Sequence, residues 1–279
     1  MPEDIDFVPA SSLSIEALAD LFTRSFAEYF YPADESAEDL AWKVRVEGID
    51  LWRSVVMRVG GEPAGLALLG LRPGVAWCGG FGVTVPFRGR GLALPLAEAM
   101  VVNARASGAR RLTLEVLTRN ERAIRTYRRA GLVVTRDLLI VEWRRPEGFD
   151  QPLPPSNVVE ASWAAPMRHF AELHPSPPAW QRDLPALLMR GAPRCLVLDE
   201  AGDHGAPLAY ALSYGDEAAR IVDLGARDAA AAGPVLQTLQ SRHARLSSVN
   251  EPAGSPQAEA LLAAGFVEVD RQHEMELAL

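Results

Sequence analysis

The stretch VTVPFRGRGLALPL, residues 83 to 96, joins a β-branched run to an apolar helical pattern through Arg88-Gly89-Arg90-Gly91. The start of a helix leaves backbone N–H groups unpaired, and the helix dipole adds partial positive charge there. Gly89 and Gly91 carry no Cβ and accept positive φ, so an anion can approach the backbone closely. Arg88 and Arg90 add charge. Pro95 is harmless if the helix starts near Gly91, because its missing N–H then falls among the unpaired ones. These residues suit a pyrophosphate; a glycine-rich turn with two solvated arginines is the alternative. The pattern is neither the dinucleotide-binding GxGxxG nor the nucleotide-binding GxxxxGK[ST]. Glu115 stands out next, as an ionisable group in the otherwise apolar LTLEVL. Burying it requires a partner or a chemical role.

The elements that must position these residues alternate between strands and helices. IDFVPA reads as a strand, and SIEALADLFTRSFAEYF and SAEDLAWKVRVEGI read as helices capped by Ser14 and Ser36. WRSVVMRVGG and PAGLALLGL form a hairpin at Gly60-Gly61, followed by the strand VAWCGGFGVTV. The glycines at 79, 80 and 82 of that strand mark a bulge or a close backbone approach. A helix to Ser107, the strand RRLTLEVL, the helix ERAIRTYRRA and the strand LVVTRDLLIVEW complete the first half.

The composition then breaks at RRPEGFDQPLPPSN, which holds four prolines and no periodicity and reads as a linker. Beyond it nearly the same order returns, with helices expected in WAAPMRHFAELH and AWQRDLPALLMR. The ends of the halves match best: YRRAGLVVTRDLLIVEW against LLAAGFVEVDRQHEMEL. The expected division is a domain over 1–146, a linker over 147–157 and a second domain over 158–279.

Charge and composition narrow the function. The 279 residues carry a net charge of −8, which argues against general nucleic-acid binding. From residue 86 to 146, however, 13 arginines face five acidic residues, which suggests a local anionic ligand. No apolar run is long enough to span a bilayer, and the acidic start MPEDIDFVPA is unlike a signal peptide, so a cytoplasmic protein without a membrane partner is expected. Cys78 and Cys195 sit in apolar runs and read as inert buried thiols. Neither they nor the five histidines have metal-ligand spacing, so no metal is expected.

The loop resembles the acetyl-CoA-binding motif of the GCN5-related N-acetyltransferases (GNAT), whose pattern is Gln or Arg, two residues, Gly, one residue, then Gly or Ala. Here it is Arg88, Gly91 and Ala93 after a Val-x-Pro strand end, and Asn120, Ala123, Tyr127 and Gly131 follow at the family's second motif. The resemblance covers about residues 5 to 146. It implies a three-layer α/β/α fold of the α+β class with a mixed, mainly antiparallel sheet. It implies acetyl-CoA as co-substrate and a small-molecule or peptide amine as acceptor. By position, the amides from Arg88 through Gly89, Arg90, Gly91 and Leu92 to Ala93 would hold the pyrophosphate. The strand from Phe81 would splay, with Val83 and Val85 pairing the pantetheine arm. Asn120 would also serve the cofactor, and one of Arg119, Arg122 and Arg125 the 3′-phosphate. Tyr127 would protonate the leaving thiolate. The strand before the loop lacks the carboxylate that many members use as base, so Glu115 takes that role. Its spacing to Tyr127 resembles that in ribosomal-protein N-terminal acetylases. Glu28 and Tyr29 would line the acceptor site.

The second half would be a degenerate GNAT-like copy. GARDAAAAGP has no such loop, Asn250 is the counterpart suggested for Asn120, and Leu261 stands where a tyrosine would be. The tandem plan is similar to that of mycothiol synthases, but there the C-terminal copy is active, which argues against importing their substrate. A non-catalytic acyl-CoA sensor or scaffold is the rival function, and a homodimer stays open.

Overall fold

The computed structural model describes residues 4–31, 33–149, 153–198 and 207–279. They divide into two compact units: Met1–Thr135 with His273–Leu279, and Arg136–Gln272.

Unit 1 runs β1 (Ile5–Pro9), α1 (Ile15–Ser25), α2 (Ala37–Glu47), β2 (Val55–Val59), β3 (Glu62–Arg72), β4 (Val75–Val83), α3 (Ala93–Ala106), β5 (Arg111–Leu117) and α4 (Glu121–Arg129). Strands β1 to β4 are an antiparallel meander, and β5 joins β4 in parallel. Period-two alternation divides the core. Val56, Leu66 and Leu68 pack under Leu18, Leu21 and Phe22 of α1 and Leu40 of α2. Val55, Ala67, Leu69, Leu112 and Leu114 face Leu96 and Met100 of α3 and Ile124 and Tyr127 of α4. This is the expected three-layer arrangement about a mainly antiparallel sheet.

The local signals are those of the sequence. Ser14 Oγ accepts the Ala17 N–H at 3.2 Å, and Ser36 forms a capping box with Asp39. Gly60 and Gly61 turn the β2–β3 hairpin with φ of 57° and 85°. Helix α1 is shorter than its pattern, ending at Ser25 rather than near Phe30. Glu28 breaks it in the left-handed region, at φ 61°.

Unit 2 runs β7 (Val158–Glu160), α5 (Leu184–Arg190), β8 (Arg194–Leu198), β9 (Ala209–Tyr214), β10 (Ala218–Ala226), α6 (Ala229–Arg242), β11 (Arg245–Pro252) and α7 (Pro256–Ala263). Two expected helices are mostly missing. WAAPMRHFAELH yields one 3₁₀ turn, Pro166–His169, and AWQRDLPALLMR yields a 3₁₀ turn, Trp180–Arg182, before the short α5. Pro166 inside the first expected helix and Pro185 inside the second each remove an N–H donor that a continuous helix would need.

Two long strands belong to both units. In β6 (Val133–Arg144), residues from Arg136 on lie in unit 2, paired with β11. In β12 (Val267–Ala278), residues from His273 on lie in unit 1 beside β5, where Arg111 meets Glu276 at 3.5 Å. The strand order runs β1-β2-β3-β4-β5-β12 through unit 1 and β7-β8-β9-β10-β11-β6 through unit 2, with β12 beside β6. The two units divide inside β6 rather than at the proline-rich stretch 147–157. Composition marks where the chain loses periodicity, whereas strand pairing is long-range.

The glycines of β4 seat α1. A Cβ at Gly82 would lie 2.8 Å from the Ser25 carbonyl oxygen, a backbone atom that cannot swing away. Gly82→Ala should therefore cost about 1–3 kcal/mol through overpacking, read as a lower midpoint in urea unfolding.

Candidate functional site

The site begins with a slipped register. Strand β4 pairs with β5 only over Val75–Cys78, yet it stays paired with β3 to Val83. Leu69 opposes Cys78 and Leu68 opposes Gly80, so Gly79 is bulged out. A Cβ on Gly79 would fall 2.2 Å from the Trp77 ring, so only glycine fits there. Past the bulge the two parallel strands part.

The peptide groups that face the gap follow from alternation. Thr84 N–H donates to Ala64 O at 2.9 Å, so Gly80, Gly82 and Thr84 point at β3. The peptide groups of Phe81 and Val83 therefore point into the gap. Val83 C=O is taken by Arg88 Nε at 2.9 Å, which leaves the Val83 N–H and both groups of Phe81. Val85 does not extend this edge: the strand ends at Val83, Val85 opens a 3₁₀ turn, and its carbonyl accepts the Arg88 N–H at 3.2 Å.

The loop that follows is open to an anion. Gly89 and Gly91 have φ of 77° and 80°, and nothing lies within 4 Å of where their Cβ atoms would be. Helix α3 has no side-chain cap and no acidic residue in its first turn. Its first backbone bond runs from Leu96 N–H to Leu92 O at 3.2 Å, so the preceding amides lie outside the helical ladder. Leu92 is buried and anchors the turn. Arg90 stacks over the Phe87 ring at 5.0 Å. Arg88 departs from its expected place, because both its N–H and its guanidinium bond within the protein. Its Nη2 donates to Ala27 O at 2.7 Å and to Ser25 O at 3.1 Å.

The candidate acid and base lie on opposite faces of the sheet. Val116 and Tyr127 belong to the α3–α4 core, so alternation puts Glu115 on the other face, with α1. Trp77, fully buried, donates its indole N–H to Glu115 Oε2 at 2.8 Å. The sequence reading missed Trp77, because the contact spans two strands that only their pairing brings together. Tyr127 packs edge-on against Phe81, with ring centroids 5.3 Å apart. Burial pushes its phenol well above the ordinary tyrosine value, with smaller contributions from Cys78 and Tyr29, so it stays protonated. Asn120 is the N-cap of α4, accepting the Ala123 N–H at 3.2 Å.

A cleft of about 550 Å³ is lined among others by Glu28, Tyr29, Phe81, Val83, Ala93 and Asn120, while the side chains of Glu115 and Tyr127 lie behind its lining. Arg119, just before α4, and Arg122 and Arg125 of α4 also line it. Arg119 lies over the Phe30 ring at 4.6 Å, and Arg125 pairs with Glu121 at 3.2 Å. Among the described residues Arg122 makes no ion pair, which leaves it the least committed of the three. The thiols of Cys78 and Cys195 are free and buried, and burial pushes both up to about 12. Among the described residues no group of three or more His, Cys, Asp or Glu could hold a metal. No described helix is long and apolar enough to cross a membrane.

Unit 2 repeats the slip and then fills the gap. Strand β10 pairs with β11 only over Ala218–Ile221, and its register with β9 shifts between Ile221 and Asp223. Here Arg182 bridges the parted strands, reaching Glu251 at 2.6 Å, Ser248 Oγ at 2.9 Å and Asp223 at 3.7 Å. His174 Nε2 meets Asp223 at 3.2 Å, and Tyr210 donates to the other Asp223 oxygen. Ala226 N–H, at the strand's end, is taken by Leu173 O at 2.9 Å. Asp228 caps α6 through Ala231 N–H at 2.9 Å, so that helix start carries its own anion. Leu261 is buried where Tyr127 has its counterpart. Asn250 does not match Asn120: it donates to Gln181 Oε1 at 3.2 Å, and Ser255 caps α7 instead.

This buried network titrates. Burial opposes charge on His174, but the Asp223 carboxylate outweighs it and holds the imidazole above its ordinary value. Burial likewise opposes charge on Asp223, and His174 and Arg182 outweigh it, so its carboxyl is held low. The pair therefore contributes fully between the ordinary aspartate value of 3.8 and the ordinary histidine value of 6.5. The contribution is lost as pH rises through the raised value, and again as pH falls through the lowered Asp223 value. The thermal midpoint should fall with rising pH above about 6.5. Asp223→Asn should remove that alkaline fall and cost about 3–5 kcal/mol by stranding the buried cations, seen in melts across pH.

Residues 15–132 match the family model described as the acetyltransferase (GNAT) family. The chain is similar in structure to a GCN5-related N-acetyltransferase from Sphaerobacter thermophilus, with a TM-score of 0.69 and 19% identity over 99% of this chain and 96% of that one. A putative acetyltransferase from Pyrococcus horikoshii gives 0.68 and 16%, over 99% and 89%. A tandem GNAT protein from the clavulanic acid biosynthesis pathway gives 0.67 and 16%, over 98% of both chains. These structural likenesses carry the fold and not the substrate. No curated protein matches the chain.

Proposed function

We propose, from the match of residues 15–132 to the acetyltransferase (GNAT) family model, that unit 1 transfers an acetyl group from acetyl-CoA to a primary amine by direct attack in a ternary complex. The observation that carries this reading is the parted β4–β5 edge, which leads from the open peptide groups of Phe81 and Val83 to the uncapped start of α3. The residues fit the cofactor. Amides from Gly89 to Ala93 would hold the pyrophosphate, the Phe81 and Val83 edge would pair the pantetheine arm as an added strand, and Arg122 would meet the 3′-phosphate. Asn120 serves the cofactor indirectly, by capping the helix that carries these side chains.

The acetyl group would lie where the two faces meet. The amine approaches from the α1 side, past Glu28 and Tyr29, and loses its proton to Glu115, directly or through water. Its nitrogen attacks the thioester carbon while the C–S bond breaks. A backbone N–H in the gap polarises the thioester oxygen. Phe81 suits this, because its ring packs on Tyr127. The neutral phenol of Tyr127 donates its proton to the departing thiolate and regains one from water.

Calorimetric titration with acetyl-CoA should find one site per chain, because the second gap is filled by Arg182 and His174. Gly91→Glu should abolish that binding through clash and like charge; unchanged affinity would remove the loop from the reading. CoA release should be followed with a panel of polyamines, aminoglycosides, amino acids and peptide N-termini. With any amine so identified, Tyr127→Phe should slow turnover by about 10²-fold or more with little change in acetyl-CoA affinity. Binding without turnover of any amine would favour the acyl-CoA sensor.

A further inference from the structure

Arg88 spends its fork on the wrong side of the loop for a phosphate ligand. Its guanidinium turns from the glycines toward the end of α1 and makes four contacts. Nε holds Val83 O at 2.9 Å, Nη2 holds Ala27 O at 2.7 Å and Ser25 O at 3.1 Å, and Nη1 lies 3.5 Å from Glu28 Oε2. The carbonyls at a helix C-terminus have no partner within the helix, and arginine is well suited to supply one. The segment it grips is strained. Glu28 sits at φ 61°, a conformation that non-glycine residues hold only when their surroundings impose it. Ser25 Oγ, buried in the same segment, has no hydrogen-bond partner among the described residues and lines the cleft.

Two features place Arg88 between the halves of the site. It is covalently next to Gly89, the first residue of the open loop. Its side chain bonds to residues 25–28, of which Ser25 and Glu28 line the cleft. A ligand that fixes the backbone of 89–92 therefore fixes the Arg88 Cα, and with it the fork.

We propose that Arg88 is a positioning residue that couples cofactor binding at the loop to the arrangement of residues 25–31 on the acceptor side. The inference rests on the proposed acetyl-CoA site. The coupling is reciprocal: whatever ligand orders the segment lowers the cost of ordering it for the other.

Hydrogen–deuterium exchange with acetyl-CoA as the probe tests this without knowing the acceptor. In the wild-type chain, acetyl-CoA should slow exchange in residues 26–31 by about five- to tenfold, as well as in 89–96. In Arg88→Ala the slowing at 89–96 should persist while that at 26–31 is lost. Arg88→Lys keeps the charge and stem without the fork, so it should behave the same way, and it replaces the alanine variant if that one does not fold. Equal protection of 26–31 in the variants would overturn the proposal, since the cofactor would then touch that segment itself. Wild-type binding with protection confined to 89–96 would remove the coupling alone. No acetyl-CoA binding by the wild-type chain would remove the underlying site together with the proposal.

Discussion

The structure of unit 1 depends on one residue that does not fit its ladder. A parallel pair and an antiparallel pair share β4, and Gly79 is accommodated by neither partner. Because β3 keeps its grip beyond the bulge and β5 does not, the sheet opens on one side only. The opening frees backbone groups that a closed sheet would consume, and burying such groups without partners is costly. The same slip turns Phe81 to the face where it packs against Tyr127, and the missing Cβ of Gly79 leaves room for the Trp77 ring that holds Glu115.

The second unit shows what else can be done with that geometry. The strands part at the corresponding place, but Arg182, His174, Asp223 and Glu251 occupy the space with charges that are nearly all paired. A buried ion network is an expensive filler compared with apolar side chains. Its presence implies that the vacated groups of the gap were polar and needed polar partners. Unit 1 leaves those groups for a ligand, and unit 2 satisfies them from its own chain.

Much of this was legible in the sequence, in proportion to how local the signal is. Caps, the Gly60-Gly61 hairpin and the glycine-rich loop depend on neighbours within a few residues, and they stand where the pattern put them. The bulge was visible as three glycines, although two of them, Gly80 and Gly82, serve mainly to admit Phe22 and Ser25 of α1. What the sequence hid is long-range. Nothing near Arg88 says that its fork reaches back to Ser25 and Ala27, and nothing near Glu115 names Trp77. The proline-interrupted helices of unit 2 failed because their apolar spacing was read without counting the missing donors.

Strand β12 has a consequence for how the molecule comes into being. Its final residues belong to the unit that begins the chain, and Leu279 N–H closes on Arg110 O at 2.9 Å. Domains ordinarily fold in the order in which the ribosome delivers them. Here the sheet of the first unit waits for residues 273–279, which are made only after the whole of the second. Loss of residues 273–279 would strike the unit that begins the chain. The unit that carries the candidate chemistry is thereby completed after the other.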